Sequence, residues 1–119
     1  MAAAMFSANV RTAPEKAGAA IIDLQGEIDG TADHAMDDAY AEAERQNTEA
    51  ILLNFAGVDY INSTGIALIV RLLAQARKSR RRLLTCGLSD HYVEIFKITR
   101  LSDFMSVYPD EASALAGVA

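Results

Sequence analysis

The sequence predicts an α/β fold: a mixed, mainly parallel sheet of about four to five strands with about four helices packed on it. Three observations point there. Strand-like and helix-like stretches alternate from residue 19 onward. "AILLNF", Ala50 to Phe55, is a short unbroken apolar run, the pattern of a strand covered on both faces. Ala32, Ala35, Met36, Ala39, Tyr40 and Ala43 recur at i, i+3, i+4, i+7, i+8 and i+11, which is one stripe of an amphipathic helix.

The elements follow in order. "FSANVRT" sets Phe6, Ala8 and Val10 against polar neighbours, a strand alternation. Pro14 and Gly18 mark a turn. "AAIIDLQGEID" then resumes with Ile22 and Leu24 on one face, so the two segments read as a hairpin. The first helix is expected from Thr31 to Gln46, with Asp33, Asp37, Asp38, Glu42 and Glu44 outside its stripe. Asp29 or Thr31 can cap its start, and Asp33 suits the positive end of the helix dipole. After the central strand "AILLNF" a second helix runs from about Ser63 to Ser79. Its expected core stripe is Ile66, Ile69, Val70, Leu73 and Ala76, widened by Leu72. "RLLTC" is a short strand closed by Gly87. "SDHYVEIFKIT" is a short helix capped by Ser89, with Tyr92, Ile95, Phe96 and Thr99 on one side. "DFMSVY" reads as an edge strand. Pro109 is expected in the first turn of a last helix, where its missing N–H is not needed.

A chain of 119 residues, 51% of them apolar, suits one domain with an ordinary core. We expect a flexible N-terminus over residues 1–5, a folded domain over 6–116 and a tail over 117–119. Cys86 is the single cysteine, so it cannot pair within the chain. It reads as a small buried packer in a reducing, cytoplasmic setting. No apolar run approaches the roughly 18 residues of a membrane span. The start lacks the charged and apolar regions of a signal peptide. No membrane association is therefore expected. A net charge of -5 disfavours general nucleic-acid binding. The charge is uneven, however. Five of the 11 basic residues fall between Arg77 and Arg82, and nine acidic residues lie between Asp23 and Glu49. The basic cluster reads either as a patch for a partner or phosphate, or as a solvated helix end whose cations complement the dipole.

Functional groups in such sheets gather where strands hand over to helices. Two handovers stand out, "GEIDGT" and "DYINSTG"; if their strands are parallel neighbours, both loops lie on one edge. Ser63 falls in the first helical turn, with Asn62 as N-cap. Gly65 permits a close approach. Leu68 and Arg71 flank the expected stripe, which places them on the exposed side beneath Thr64. Ser63, His34 or His91, and Asp29 can also be drawn as a hydrolase triad, but the serine lacks the G-x-S-x-G elbow. The two histidines have no ligand at metal spacing, and there is no phosphate-binding glycine loop, so neither metal nor cofactor is expected.

Three stretches together resemble the STAS domains of bacterial anti-sigma factor antagonists. "IIDLQGEIDGTA" (Ile21 to Ala32) is similar to the family's strand, Gly-Glu-Leu/Ile-Asp turn and helix start. "ILLNFAGVDYINSTGIALIVRLLAQAR" (Ile51 to Arg77) is similar to its central strand and Asp-Ser-Ser/Thr-Gly signature. "GLSDHYVEIFKITRLSDFMSVYPDEASAL" (Gly87 to Leu115) is similar to its helix–strand–helix tail. The resemblance implies partner switching rather than catalysis. The unphosphorylated antagonist binds an anti-sigma factor that is also a serine kinase, and the sigma factor is released. The kinase phosphorylates the signature serine, Ser63 by position, and a serine phosphatase restores it. Asn62, Thr64, Gly65 and Leu68 are then the expected partner-binding residues, with Asp29, Gly30 and Thr31 on the adjoining loop. Asn62 and Asn54 stand where the family often has aspartate. A STAS scaffold that binds another regulator without a phospho-switch is the alternative.

Overall fold

The hairpin forms as the alternation predicts. In the computed structural model, which describes residues 5–13 and 18–118, β1 (Ser7–Thr12) pairs antiparallel with β2 (Ala19–Ile28). Pro14 and most of the expected turn lie outside the described residues, as do residues 1–4 of the expected flexible start. β2 then pairs parallel with β3 (Ala50–Ile61), β3 with β4 (Arg82–Cys86), and β4 with β5 (Ser106–Tyr108). The sheet order is β1-β2-β3-β4-β5, five strands with one antiparallel edge. The helices are α1 (Asp33–Arg45), α2 (Ser63–Lys78), α3 (Asp90–Ile98) and α4 (Glu111–Ala116).

The central strand is buried on both faces, as its unbroken apolar run requires. Ile51, Leu53 and Phe55 join Ile22 and Leu24 beneath α1, α2 and α3, against Met36, Tyr40, Ile69, Leu72 and Phe96. Leu52 faces the other way, with Ile21, Leu84 and Cys86 under Ala114 and Val118. Val118, in the stretch expected as a tail, is thus part of the second core. Cys86 is buried there, and burial pushes its thiol up to about 11, so it stays protonated.

Five expectations are corrected. First, β3 does not stop at Phe55 but runs on to Ile61, because β2 continues beside it through Ile28 with bulges that shift the register. Asp59 to Ile61 are therefore strand, not loop. Second, the apolar stripe of α2 is Gly65, Leu68, Ile69, Leu72, Leu73 and Ala76. Leu68 is buried and Val70 is 44% exposed, the reverse of the expected phase. Residues 66–70 are all apolar, so periodicity there left the phase open; the close seat of Gly65 against β2 sets it. Third, a 3-10 turn, Gly30–Ala32, precedes α1, which begins at Asp33 rather than Thr31. Fourth, Pro109 lies one residue before the cap: Asp110 accepts from the Ser113 N–H and starts α4 at Glu111. Fifth, the edge strand keeps only Ser106–Tyr108 of "DFMSVY"; Leu101–Asp103 is a 3-10 turn.

Asn54 has a structural reason for departing from aspartate. Its Nδ2 donates to Asp23 Oδ1 at 2.9 Å, while its Oδ1 accepts from the Ala56 N–H at 3.1 Å. Arg11 reaches the same Asp23 at 2.6 Å and also pairs with Glu111. The Arg11 guanidinium and, to a lesser extent, the Asn54 amide hold the Asp23 carboxyl below its ordinary value. That stabilisation is complete above the unfolded-state pKa and is lost as pH falls through the folded one. An aspartate at position 54 would set two carboxylates side by side. Asn54→Asp is expected to cost about 2 kcal/mol at neutral pH, the range for a lost bond to a charged group. Urea unfolding at pH 7 and pH 4 checks this. The penalty should shrink at pH 4, where the pair retains a proton; a pH-independent loss would rule out charge repulsion.

Candidate functional site

Parallel pairing brings the two strand-to-helix corners together. Ile28 and Ile61, the last residues of β2 and β3, are in register. Asn62 follows with an extended backbone, and its N–H donates to the Ile28 carbonyl at 3.1 Å. Its side chain then turns inward and caps α2, accepting the Gly65 N–H on Oδ1 at 2.8 Å. An aspartate would cap in the same way, so the asparagine keeps the local geometry. Gly65 is buried because its Cα presses on β2: a Cβ there would collide with the Ile28 carbonyl oxygen and lie 2.9 Å from its carbon.

Ser63 and Thr64 are exposed at the first turn of α2, between these two anchors. The neighbouring corner is held by Asp29, which accepts the Thr31 backbone N–H at 2.9 Å and the Thr31 hydroxyl. Those bonds hold the Asp29 carboxyl below its ordinary value. Gly30 and Thr31 are exposed, and a Cβ at Gly30 would sit 3.5 Å from the Thr64 methyl group, so the two loops form one surface. Behind it, Arg71 of α2 pairs with Asp33 and Asp37 of α1. Ser63, Thr64, Gly30 and Thr31 share that surface, with Asn62 half-buried and Asp29 committed to Thr31. Leu68 is not there: it packs in the core below, so the surface presents the hydroxyls without the expected leucine.

Sequence reasoning missed Tyr92. Its hydroxyl accepts the Ile61 N–H at 2.8 Å and lies 3.3 Å from the Ile61 carbonyl, to which it donates. A residue 31 positions away thus holds the end of β3 immediately before Asn62. The one sequence signal was a tyrosine on the apolar face of α3, whose buried hydroxyl needs a partner. Tyr92→Phe leaves the Ile61 N–H unpaired in a buried place and is expected to cost about 1–2 kcal/mol. Urea unfolding gives the loss. The Ile61 and Asn62 amides should lose hydrogen-exchange protection first, and uniform loss would show that the bond is not local.

Tyr60, Ile66, His91 and Tyr92 line a cleft of about 360 Å³ beside Ser63. His91 shares that cleft, but no hydrogen bond joins Ser63 to His34, His91 or Asp29 among the described residues. No group of three or more His, Cys, Asp or Glu converges as a metal site among the described residues. No helix among them is long and apolar enough to cross a membrane.

A five-stranded mixed sheet with its strand-to-helix corners meeting on one edge defines a small α/β module whose candidate site is a surface rather than a deep pocket. The chain belongs to the STAS domain family, whose model matches residues 11–114. It is 29% identical over 86 residues to an anti-sigma-B factor antagonist of Staphylococcus aureus, covering 72% of this chain and 80% of that one. Its fold is similar to an anti-sigma factor antagonist from Mycobacterium paratuberculosis, with TM-score 0.80 and 18% identity over 96% of this chain and 94% of that one. It is also similar to the Bacillus cell fate determinant SpoIIAA in its phosphorylated form, with TM-score 0.69 and 21% identity over 97% and 100% of the two chains.

Proposed function

We propose that this chain is an anti-sigma factor antagonist. In this reading it binds an anti-sigma factor that is also a serine kinase, and phosphorylation of Ser63 switches it off. The observation that carries the reading is the exposed Ser63 at the start of α2, between the Asn62 cap and the Gly30–Thr31 corner. The anti-sigma-B factor antagonist relative supports the class of partner. The chain is then a regulator and not an enzyme, and a serine phosphatase returns it to the binding form.

The physics of the corner suits a switch. Kinase transfer would form a bond from Ser63 Oγ to the γ-phosphorus of ATP, break the bond to the β-phosphate oxygen and release ADP, the hydroxyl proton passing to the kinase. The product carries about -1.5 to -2 charges at pH 7. Within this domain that charge meets the positive end of α2, where an anion contributes about 0.3–1 kcal/mol. Against a closely packed partner the same group is bulky and must be desolvated, at a cost of several kcal/mol if unpaired. The fold therefore tolerates what the complex does not.

Incubation with the cognate anti-sigma kinase and ATP should add one phosphate by intact mass, mapped to Ser63 by fragmentation and absent from Ser63→Ala. Phosphate at another residue, or none, would overturn the switch.

A further inference from the structure

The second apolar face of α2 has no function in the reading above. Val70, Ala74 and Arg77 form an exposed strip on α2 beside its buried stripe. The 3-10 turn after α3 lies along this strip. Between them lies a groove of about 330 Å³, with buried Leu73 and Leu101 at its base and Val70, Ala74 and Phe104 exposed along it. Val70 is 44% exposed and Phe104 56%, so two large apolar groups face solvent across it. Ile66, Val70, Leu73 and Arg77 follow i, i+4, i+7 and i+11, a stripe beside the core one.

The charge around this groove is opposite to that of the protein as a whole. Arg77 sits with its guanidinium carbon 5.0 Å from the centre of the Phe104 ring. The ring holds the cation without neutralising it. Arg100 forms the other margin and is paired with Asp103 at 2.9 Å. The rest of the cluster divides by role. Arg81 bonds the Thr48 carbonyl at 3.0 Å and pairs with Glu44, and Arg82 bonds the Gly117 carbonyl at 3.2 Å, so both hold the fold. Arg77, Lys78 and Arg80 have no carboxylate partner among the described residues. An apolar groove edged by Arg77, which has no carboxylate partner among the described residues, and by the exposed Arg100 suits a ligand that is both apolar and acidic.

We propose that the groove between α2 and the Leu101–Phe104 turn docks an acidic amphipathic segment of a partner protein. Its apolar side chains would cover Val70, Leu73 and Phe104, and a carboxylate would pair with Arg77. A helix laid into a groove makes such contacts at i, i+3 and i+4 spacing. The site is distinct from Ser63. Arg77 lies 14 residues further along α2, about 20 Å at 1.5 Å per residue. Val70, at the near end of the groove, lies seven residues from Ser63, about 10 Å, so the two sites sit on one face of α2 without sharing Ser63 or Arg77.

The test uses the full chain and a labelled synthetic peptide of roughly 16 residues, about four helical turns. The peptide carries Leu and Phe on one face and Glu and Gln on the other; a control has Lys in place of Glu. Fluorescence anisotropy should show saturable binding of the acidic peptide, weakening with salt, and none of the basic one. Amide shifts in a nitrogen-15 spectrum should centre on Val70, Arg77 and Phe104. Arg77→Glu and Phe104→Ala should each weaken binding by about 10-fold, at unchanged Tm. Ser63→Asp should leave the affinity unaltered, which separates this site from the proposed switch. Equal binding of both peptides, shifts centred elsewhere, or an Arg77→Glu variant that binds normally would each overturn the proposal. So would concentration-dependent self-association that Arg77→Glu abolishes, since a second copy would then be the occupant. Preferential binding of a DNA duplex would overturn it as well.

Discussion

Ser63→Asp is expected to weaken binding to the anti-sigma partner by about 100-fold or more, while leaving Tm within about 2 °C of the parent. A loss of only about 2.8 kcal/mol suffices for that factor. The two halves of the prediction have separate causes. Ser63 is exposed and makes no side-chain hydrogen bond among the described residues, so the fold loses little when it is replaced. The new carboxylate lies at the positive end of α2, which favours it slightly. In the complex the same carboxylate must shed water against the partner, and that cost appears only on binding. Calorimetric titration gives the affinity, and thermal unfolding followed by circular dichroism gives Tm. Ser63→Ala should bind like the parent. If Asp and Ala bind equally well, exclusion by charge is wrong. If Asp loses binding only because Tm drops, the corner is structural and not a switch.

Gly65→Ala is expected to destabilise the fold by about 3 kcal/mol, in the upper range for overpacking. For a chain of this size that lowers Tm by roughly 10 °C. The sign is informative, because glycine to alanine inside a helix ordinarily contributes about 0.5–1 kcal/mol in favour of folding. Here the added methyl would meet the Ile28 carbonyl, which already accepts the Asn62 N–H. Relief requires α2 to move off β2, which stretches both that bond and the cap from Asn62 to Gly65. Ser63 moves with them, so partner affinity should fall as well. Thermal unfolding decides: a Tm equal to or above the parent's would mean that the close contact is not rigid.

Several parts of this architecture are legible in the residues themselves. The stripe of α1 was clear because acidic residues flank it on every side, and Met36, Ala39, Tyr40 and Ala43 are buried as it requires. The caps at Asn62 and Ser89 were legible because a short polar side chain before an apolar run has one local use. α2 was harder. Its run of apolar residues offered two faces, and the chosen phase put Leu68 outside and Val70 inside. Nothing local could have chosen between them, because both faces satisfy the helical period. The length of β3 had the same difficulty, since Asp59 and Tyr60 do not look like strand. They are strand because β2 runs beside them.

The sequence by itself determined the α/β class, the order of strands and helices, the place of Ser63 at a helix start and the asparagine that caps it. Each of these follows from spacing and side-chain chemistry within a few residues. The tertiary structure decided the rest: that the Asp29 and Ser63 corners touch, that Tyr92 ties the end of β3, that Asn54 suits its position because Asp23 lies beside it, and that Val70 is left for solvent. These depend on contacts between residues far apart in the chain. Local preference is nearly neutral at such positions, and packing against one particular neighbour settles them.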